Sequence, residues 1–353
     1  MTVAFLKKHW FLVGLVALVG SGLGIGVTLP PELVERLSGY IDAKWITRVV
    51  LFLMAFSLDS AKLRASVRFP SPVLCASVIN SGAIPLAALG LMSLQQDPSF
   101  EVGLMIAASV PCTLAAVSVW TRKAGGNDAV SLLTTLLTNT LCFVVTPFWL
   151  NLALRGAENA GDVELGVSSM VTRLLGVVLV PTILGQACRM IPTAREFAVA
   201  QKPRIGMAAQ GLILILVFTA AALKAGPQLG AGGIGAGAIA VVWACCLGLH
   251  LAAMAAGAVG ASVLGLSRED RIAVLFGSSQ KTLPIGVYLA TSPEMFGGGR
   301  FPFAVFPMLM FHATQLFVDT IIADRIAASA PGEECSGPET DDQPTDRVDA
   351  TGG

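Results

Sequence analysis

The sequence predicts an all-α integral membrane protein of ten transmembrane helices, built as two inverted repeats of five, with helices 4 and 9 interrupted near their middles. Three observations carry this expectation. The chain is 54% hydrophobic and 13% charged, with a mean hydropathy of +0.73, whereas soluble domains are about 25% charged. Its apolar residues fall in blocks close to the roughly 20 residues that cross a bilayer core. Its basic residues gather in alternate loops, as the positive-inside rule requires.

The first apolar run, from Trp10 to Leu29, follows Lys7 and Lys8. It is too long for a signal-peptide core, lacks an A-x-A site and is followed by further spans, so it reads as the first membrane helix. Breaks at charge, proline and glycine then give spans near 9–29, 44–59, 72–94, 100–121 and 128–152. A polar loop separates them from five more, near 166–190, 205–224, 233–264, 271–291 and 300–324. The organisation expected is a first repeat over 1–152, an outer linker over 153–165, a second repeat over 166–325, and a disordered acidic tail over 326–353.

With the N-terminus inside, the cytoplasmic loops hold Lys7, Lys8, Lys62, Arg64, Arg68, Arg122, Lys123, Arg189, Arg195, Lys202, Arg204, Arg268, Arg271 and Arg325. The outer loops hold only Arg36, Lys44, Arg155, Lys224 and Arg300. This split predicts a multi-pass protein of the cell (inner or plasma) membrane with both termini cytoplasmic. Five spans per half is an odd number, so repeated halves must lie in the membrane with opposite topology. The fourth span of each half agrees: one is interrupted at Pro111-Cys112-Thr113, the other at Gly277-Ser278-Ser279-Gln280-Lys281-Thr282 and Pro284. Each interruption lies about ten residues, or 15 Å, from the helix ends, at the bilayer midplane.

Lys281 is the most informative residue, because an ammonium at that depth costs roughly 2.5–3.5 kcal/mol even on the lenient insertion scale. Ten residues of helix exceed the reach of a snorkelling lysine. The residue reads as a fixed cation facing a cavity, able to pair with an anionic substrate or to occupy a cation's place. Pro284 removes the N–H that would bond the carbonyl of Gln280, and a carbonyl freed at the midplane can hold a cation or a solute. In the fifth span, Ser131, Thr135, Thr138 and Asn139 share one face, and neutral oxygens on one face suit a hard cation such as sodium. The plainer alternative is that such hydroxyls bond their own helix or glue neighbours together. Asn80, Gln210 and Gln315 are further intramembrane amides.

Other signals are negative. His250 and His312 are isolated and read as packing residues, and the glycines from Gly230 to Gly237 follow a membrane helix rather than a strand, which excludes a dinucleotide fingerprint. The seven cysteines show no metal-ligand or redox spacing, and the net charge of zero gives no nucleic-acid signal. With no Ser/His/Asp set, paired carboxylates or P-loop, the chain does not read as an enzyme.

The stretch Val110-Pro111-Cys112-Thr113 through Arg122-Lys123-Ala124-Gly125-Gly126-Asn127-Asp128-Ala129, with Ser131, Thr135, Asn139 and Thr146-Pro147, resembles the crossing region of the bile acid:sodium symporter family. Phe276-Gly277-Ser278-Ser279-Gln280-Lys281-Thr282-Leu283-Pro284 is similar to the second crossing helix of its cotransporter-7-like branch. The resemblance covers roughly residues 9–325. It implies two inverted five-helix repeats with crossing helices 4 and 9, a panel of helices one, two, six and seven, a core of the rest, and sodium-driven uptake of organic anions by alternating access. It also implies Ser131 and Thr135 as donors to one sodium and Gln280 to a second, with Asn80 where the family has a glutamine. Two departures stand out. Phe276 occupies the family's acidic position and Lys281 its asparagine, which changes the site by two charge units and argues against two sodium ions.

The sequence thus points to a symporter-like carrier for a small organic anion, needing no cofactor beyond a coupling ion. Cation ligands are expected from Ser131, Thr135, Asn139, Gln280 and Asn80, and substrate contacts from Lys281, Ser278, Ser279, Thr282, Thr113 and Ser118. The helix breaks are expected at Pro111, Gly277 and Pro284. Proton coupling through Lys281, and a membrane sensor that does not transport, are the alternatives the sequence leaves open.

Overall fold

The computed structural model describes residues 10–40, 42–58, 70–114, 116–156, 167–230, 234–292, 295 and 301–329. The helices in chain order are α1 (Trp10–Thr28), α2 (Pro31–Tyr40), α3 (Ala43–Ser57), α4 (Pro70–Met92), α5 (Pro98–Ser109), α6 (Ala116–Lys123) and α7 (Asp128–Gly156). They continue with α8 (Val167–Cys188), α9 (Pro192–Ala200), α10 (Lys202–Gly230), α11 (Ala236–Val263), α12 (Arg268–Ser279), α13 (Leu283–Thr291) and α14 (Val305–Ala328). No strand occurs among the described residues. Of these helices, α1, α4, α7, α8, α10, α11 and α14 are long and apolar enough to cross a membrane. The chain is a multi-pass helical membrane protein.

The second expected span is the 15-residue α3, and the fourth and ninth are split into α5/α6 and α12/α13. Two short helices, α2 and α9, lie between expected spans. Each opens on a proline, whose missing N–H would have been unpaired there in any case. The linker and tail expected from sequence fall mostly, at 157–165 and 330–353, outside the described residues, as do Lys7, Lys8, Lys62, Arg64, Arg68 and Arg300.

Three long helices contain one wide π turn each: Ile79–Ala83 in α4, Leu175–Leu179 in α8 and Ala221–Ala225 in α10. Each is followed two residues later by a proline, Pro85, Pro181 or Pro227. Proline cannot return a hydrogen bond to the carbonyl four residues back, so the preceding turn re-registers. In α4 the carbonyl orphaned by Pro85 belongs to Ser81, and the Trp149 indole N–H of α7 donates to it at 2.8 Å.

Packing separates the helices into two groups. One contains α1, α3, α8 and α10; the other contains α4, α5, α7, α11, α12 and α14. They meet where α13 packs on α3 and α10, α14 on α1, and α7 on α8. Close approach within each group depends on glycine. A Cβ at Gly103 of α5 would sit 2.4 Å from the Ala304 carbonyl oxygen, and one at Gly26 of α1 would sit 2.5 Å from that of Ala222.

Candidate functional site

The two helix breaks meet. The first covers residues 110–114 between α5 and α6, and the second is the extended segment Gln280–Thr282 between α12 and α13. The Thr282 N–H donates to the Pro111 carbonyl at 2.9 Å. At 1.5 Å per residue the 12 residues of α12 put its break about 18 Å from that helix's start. Pro111 lies in its break and Pro284 in the first turn of α13, as expected, but Gly277 remains helical inside α12. Its lack of a side chain serves packing instead, since a Cβ would lie 3.3 Å from Thr134 and 3.4 Å from Ala76.

Asn80 projects from the π turn of α4 into the second break. Its Nδ2 donates to the carbonyls of Gly277, Ser278 and Gln280 at 3.1, 3.2 and 2.9 Å. The Gln280 carbonyl is the one that Pro284 leaves without a helical donor. An amide, rather than an ion, satisfies it here.

Lys281 is fully buried. Its ammonium donates to the Asn80 carbonyl at 2.6 Å, to Asn80 Oδ1 at 3.1 Å and to the Val110 carbonyl at 3.0 Å. An ammonium has three N–H groups, and protein oxygens take all three. The lysine therefore does not snorkel, and no N–H remains for a substrate's anion. Its backbone is held as well: the Lys281 N–H donates to Gln315 Oε1 at 2.9 Å, and Gln315 Nε2 donates to the Lys281 carbonyl at 3.0 Å.

Both histidines differ from the packing role expected of them. Gln315 Nε2 also lies 2.8 Å from His312 Nδ1. An amide N–H only donates, so Nδ1 is the acceptor and the imidazole proton sits on Nε2. His250 Nε2 lies 3.0 Å from Asp319 Oδ1, and Gln280 Nε2 donates to Asp319 Oδ2 at 2.6 Å. Asp319 is fully buried. α14 thus brings a buried carboxylate to the second break. Sequence reading passed over it, although His312, Gln315 and Asp319 are spaced by three and four and so share one helical face.

The polar face of α7 closes on the first break. Asn139 Nδ2 donates to the carbonyls of Cys112 and Thr135 at 2.8 Å each, the Thr135 hydroxyl to the Thr113 carbonyl at 3.2 Å, and the Cys112 N–H to the Thr138 hydroxyl at 3.2 Å. The Ser131 and Thr121 hydroxyls lie 2.7 Å apart. Among the described residues Asn139 Oδ1 is buried without a hydrogen-bond partner, which normally calls for an explanation such as an ion or water. That amide oxygen is neutral, the kind of donor a hard cation takes. At the second expected cation position the Lys281 ammonium takes Asn80 Oδ1, while Gln280 donates through Nε2 to Asp319 and its Oε1 is buried without a hydrogen-bond partner among the described residues.

The substrate candidates disperse. Ser118 bonds the Asp128 carboxylate and accepts from Arg122 at 3.1 Å, in a cluster apart from the breaks. Ser279 bonds carbonyls of its own helix, Ser278 Oγ is packed against Gly257, and Thr282 Oγ1 has no partner among the described residues. Thr113 lines a cavity of about 270 Å³ together with Trp120, Gln210, Pro284 and His312, and no charged side chain borders it. A second cavity, of about 380 Å³, is bordered by Asp42, Lys44, Thr219, Lys224, Tyr288 and Ser292.

Buried polar groups converging on paired helix breaks define a membrane protein built around an intramembrane polar site, the class in which solute carriers fall. The profile of the SBF-like CPA transporter family matches residues 9–328, and the chain belongs to that family, within the bile acid:sodium symporter group. It is 28% identical to the probable sodium/metabolite cotransporter BASS4, chloroplastic, of Arabidopsis thaliana, over 86% of this chain and 70% of that one. It is 21% identical to sodium/bile acid cotransporter 7 of Rattus norvegicus, over 91% and 93%. An uncharacterized protein of Pseudomonas aeruginosa is 29% identical over 80% and 85%. The family and its named members are transporters, not enzymes.

Proposed function

We propose that the protein is a secondary active carrier for a small organic anion, working by alternating access, with ten crossings in two inverted repeats over 1–152 and 166–325. The observation that carries this reading is the pair of cavities. Both border α3, α10 and α13, but at opposite ends. One touches Lys44, Lys224 and Ser292; the other touches Ser57, Ile205 and Pro284. Between them the Thr47 hydroxyl donates to the Pro284 carbonyl at 3.3 Å. A solute path blocked at the second break, with a chamber on each side, suits a carrier whose two helix groups rock against each other. The sodium/metabolite and sodium/bile acid cotransporters among its relatives support an organic solute and sodium.

One sodium is assigned to Ser131, Thr135 and Asn139, and the Lys281 ammonium replaces the second. Asn80 and Gln280 then act by holding the lysine and Asp319 rather than by ligating an ion. Uptake of small labelled carboxylates and sulfonates into proteoliposomes, with and without an inward sodium gradient, tests this. Sodium-stimulated uptake of at least one such anion is expected. Equal rates in sodium and choline for every anion taken up would remove sodium from the mechanism, and no uptake of any would remove the carrier reading.

A further inference from the structure

We propose that the larger cavity is an anion-gathering vestibule, in which Lys44 and Lys224 draw the oxyanion of a small organic acid to the mouth of the path before it reaches the breaks. The proposal deepens the carrier reading and rests on it for its purpose.

The two cavities differ in charge. The smaller has no charged side chain on its walls, while the larger has two ammonium groups and one carboxylate. That carboxylate, Asp42, caps α3 by accepting from the Lys44 backbone N–H at 2.8 Å. Two further cations stand behind the wall. Of the charges near the Tyr288 hydroxyl, Arg173 and Arg48 are positive and Asp42 is negative. Arg48 is fixed there by a 3.2 Å hydrogen bond to the Gly176 carbonyl and by stacking 4.6 Å over Trp45, and Arg173 by a 3.0 Å bond to Ser169.

This excess lies on the side where cations are scarce. In the orientation with the N-terminus inside, Lys44 and Lys224 are two of only five outer-loop bases in the sequence, yet they border one cavity. A cleft with low-dielectric walls and one dominant sign of charge focuses its field and raises the local concentration of the opposite ion. Hydroxyl groups border the same space: Tyr288 is buried beside Ser292, while the Thr219 and Thr291 hydroxyls donate to the Leu216 and Val287 carbonyls at 3.0 and 2.7 Å. The excess of ammonium over carboxylate on its lining fits a carboxylate or sulfonate. It does not fit an amine or a metal cation.

The vestibule's potential can be read without knowing the substrate. In full-length Ser292→Cys in sealed vesicles, the probes are two thiosulfonate reagents of similar size, one ending in a sulfonate and one in a quaternary ammonium. Each is scaled to its rate with a free thiol in solution, and the parent, whose cysteines lie elsewhere, is the blank. The anionic reagent is expected to react from the outside about tenfold faster than the cationic one. Adding Lys224→Gln should lower that ratio by about fivefold, since one unit charge about 8 Å away through water changes each reagent's rate by about 2.4-fold in opposite directions, while Lys224→Arg should preserve it. A cationic reagent as fast as the anionic one, a ratio unmoved by Lys224→Gln, or labelling only from the cytoplasmic side would each overturn the vestibule. A carrier without anion uptake but with the expected ratio would fail the functional reading alone.

Discussion

Removing the Lys281 ammonium should expose a sodium site that the native protein does not use. In Lys281→Ala the Asn80 carbonyl, Asn80 Oδ1 and the Val110 carbonyl lose their donor together, and each buried acceptor left unpaired costs about 1–3 kcal/mol. Relief from burying a charge offsets part of that sum, so a net loss of about 3–5 kcal/mol is expected, as when one member of a buried charged group is removed. The same three oxygens then surround a hole that a small cation can enter. Sodium at one hundred times its dissociation constant would return about 2.7 kcal/mol. The assay is thermal unfolding of the full chain in detergent, in choline chloride and in sodium chloride. The variant should unfold well below the parent in choline and recover much more than the parent in sodium, whose own response comes only from the site at Asn139. A variant as stable as the parent in choline, or sodium shifting both proteins equally, would refute the idea that the ammonium stands in for an ion.

Three further outcomes are expected. Ser131→Ala with Thr135→Ala should abolish sodium-dependent stabilisation of the otherwise intact protein while leaving its choline midpoint within a few degrees; an unchanged sodium shift would move the ion elsewhere. Asp319→Leu should destabilise by about 3–5 kcal/mol because Gln280 and His250 lose a shared buried partner, and in a double-mutant cycle with His250→Phe the two losses should fall well short of adding. Gly103→Ala should cost about 1–3 kcal/mol by overpacking α5 against Ala304 and Pro307, read as a lower unfolding midpoint in either salt.

Much of this was legible in residue order, and the failures have physical causes. Apolar run length located the long helices because the bilayer sets that length directly. Proline placed both breaks within a few residues, and the orphaned Gln280 carbonyl could be named from Pro284 alone. What filled that carbonyl could not, since Asn80 comes from 200 positions away in the chain. Gly277 was misread because glycine marks close approach as often as it marks a break, and only the positions of Thr134 and Ala76 decide between them. Ser118 was misplaced for the opposite reason. A hydroxyl two residues into a short helix can face the break or the helix end, and Asp128 with Arg122 captured it at the end. Asp319 was within reach, as an acid inside an apolar span, but its worth depends on His250 from a different helix.

The ammonium at the second break also limits how far a carrier of this design could concentrate its solute. A sodium ion entering down a tenfold gradient and 100 mV contributes about 1.4 and about 2.3 kcal/mol, respectively. A lysine cannot leave the protein, so its charge moves out and back with every cycle and does no net electrical or osmotic work. Holding Lys281 where a second sodium would sit therefore lowers the available driving force by about 3.7 kcal/mol, roughly five-hundredfold in the steepest sustainable solute gradient. Such a protein suits shallow gradients, and it would keep cycling in media where sodium is dilute.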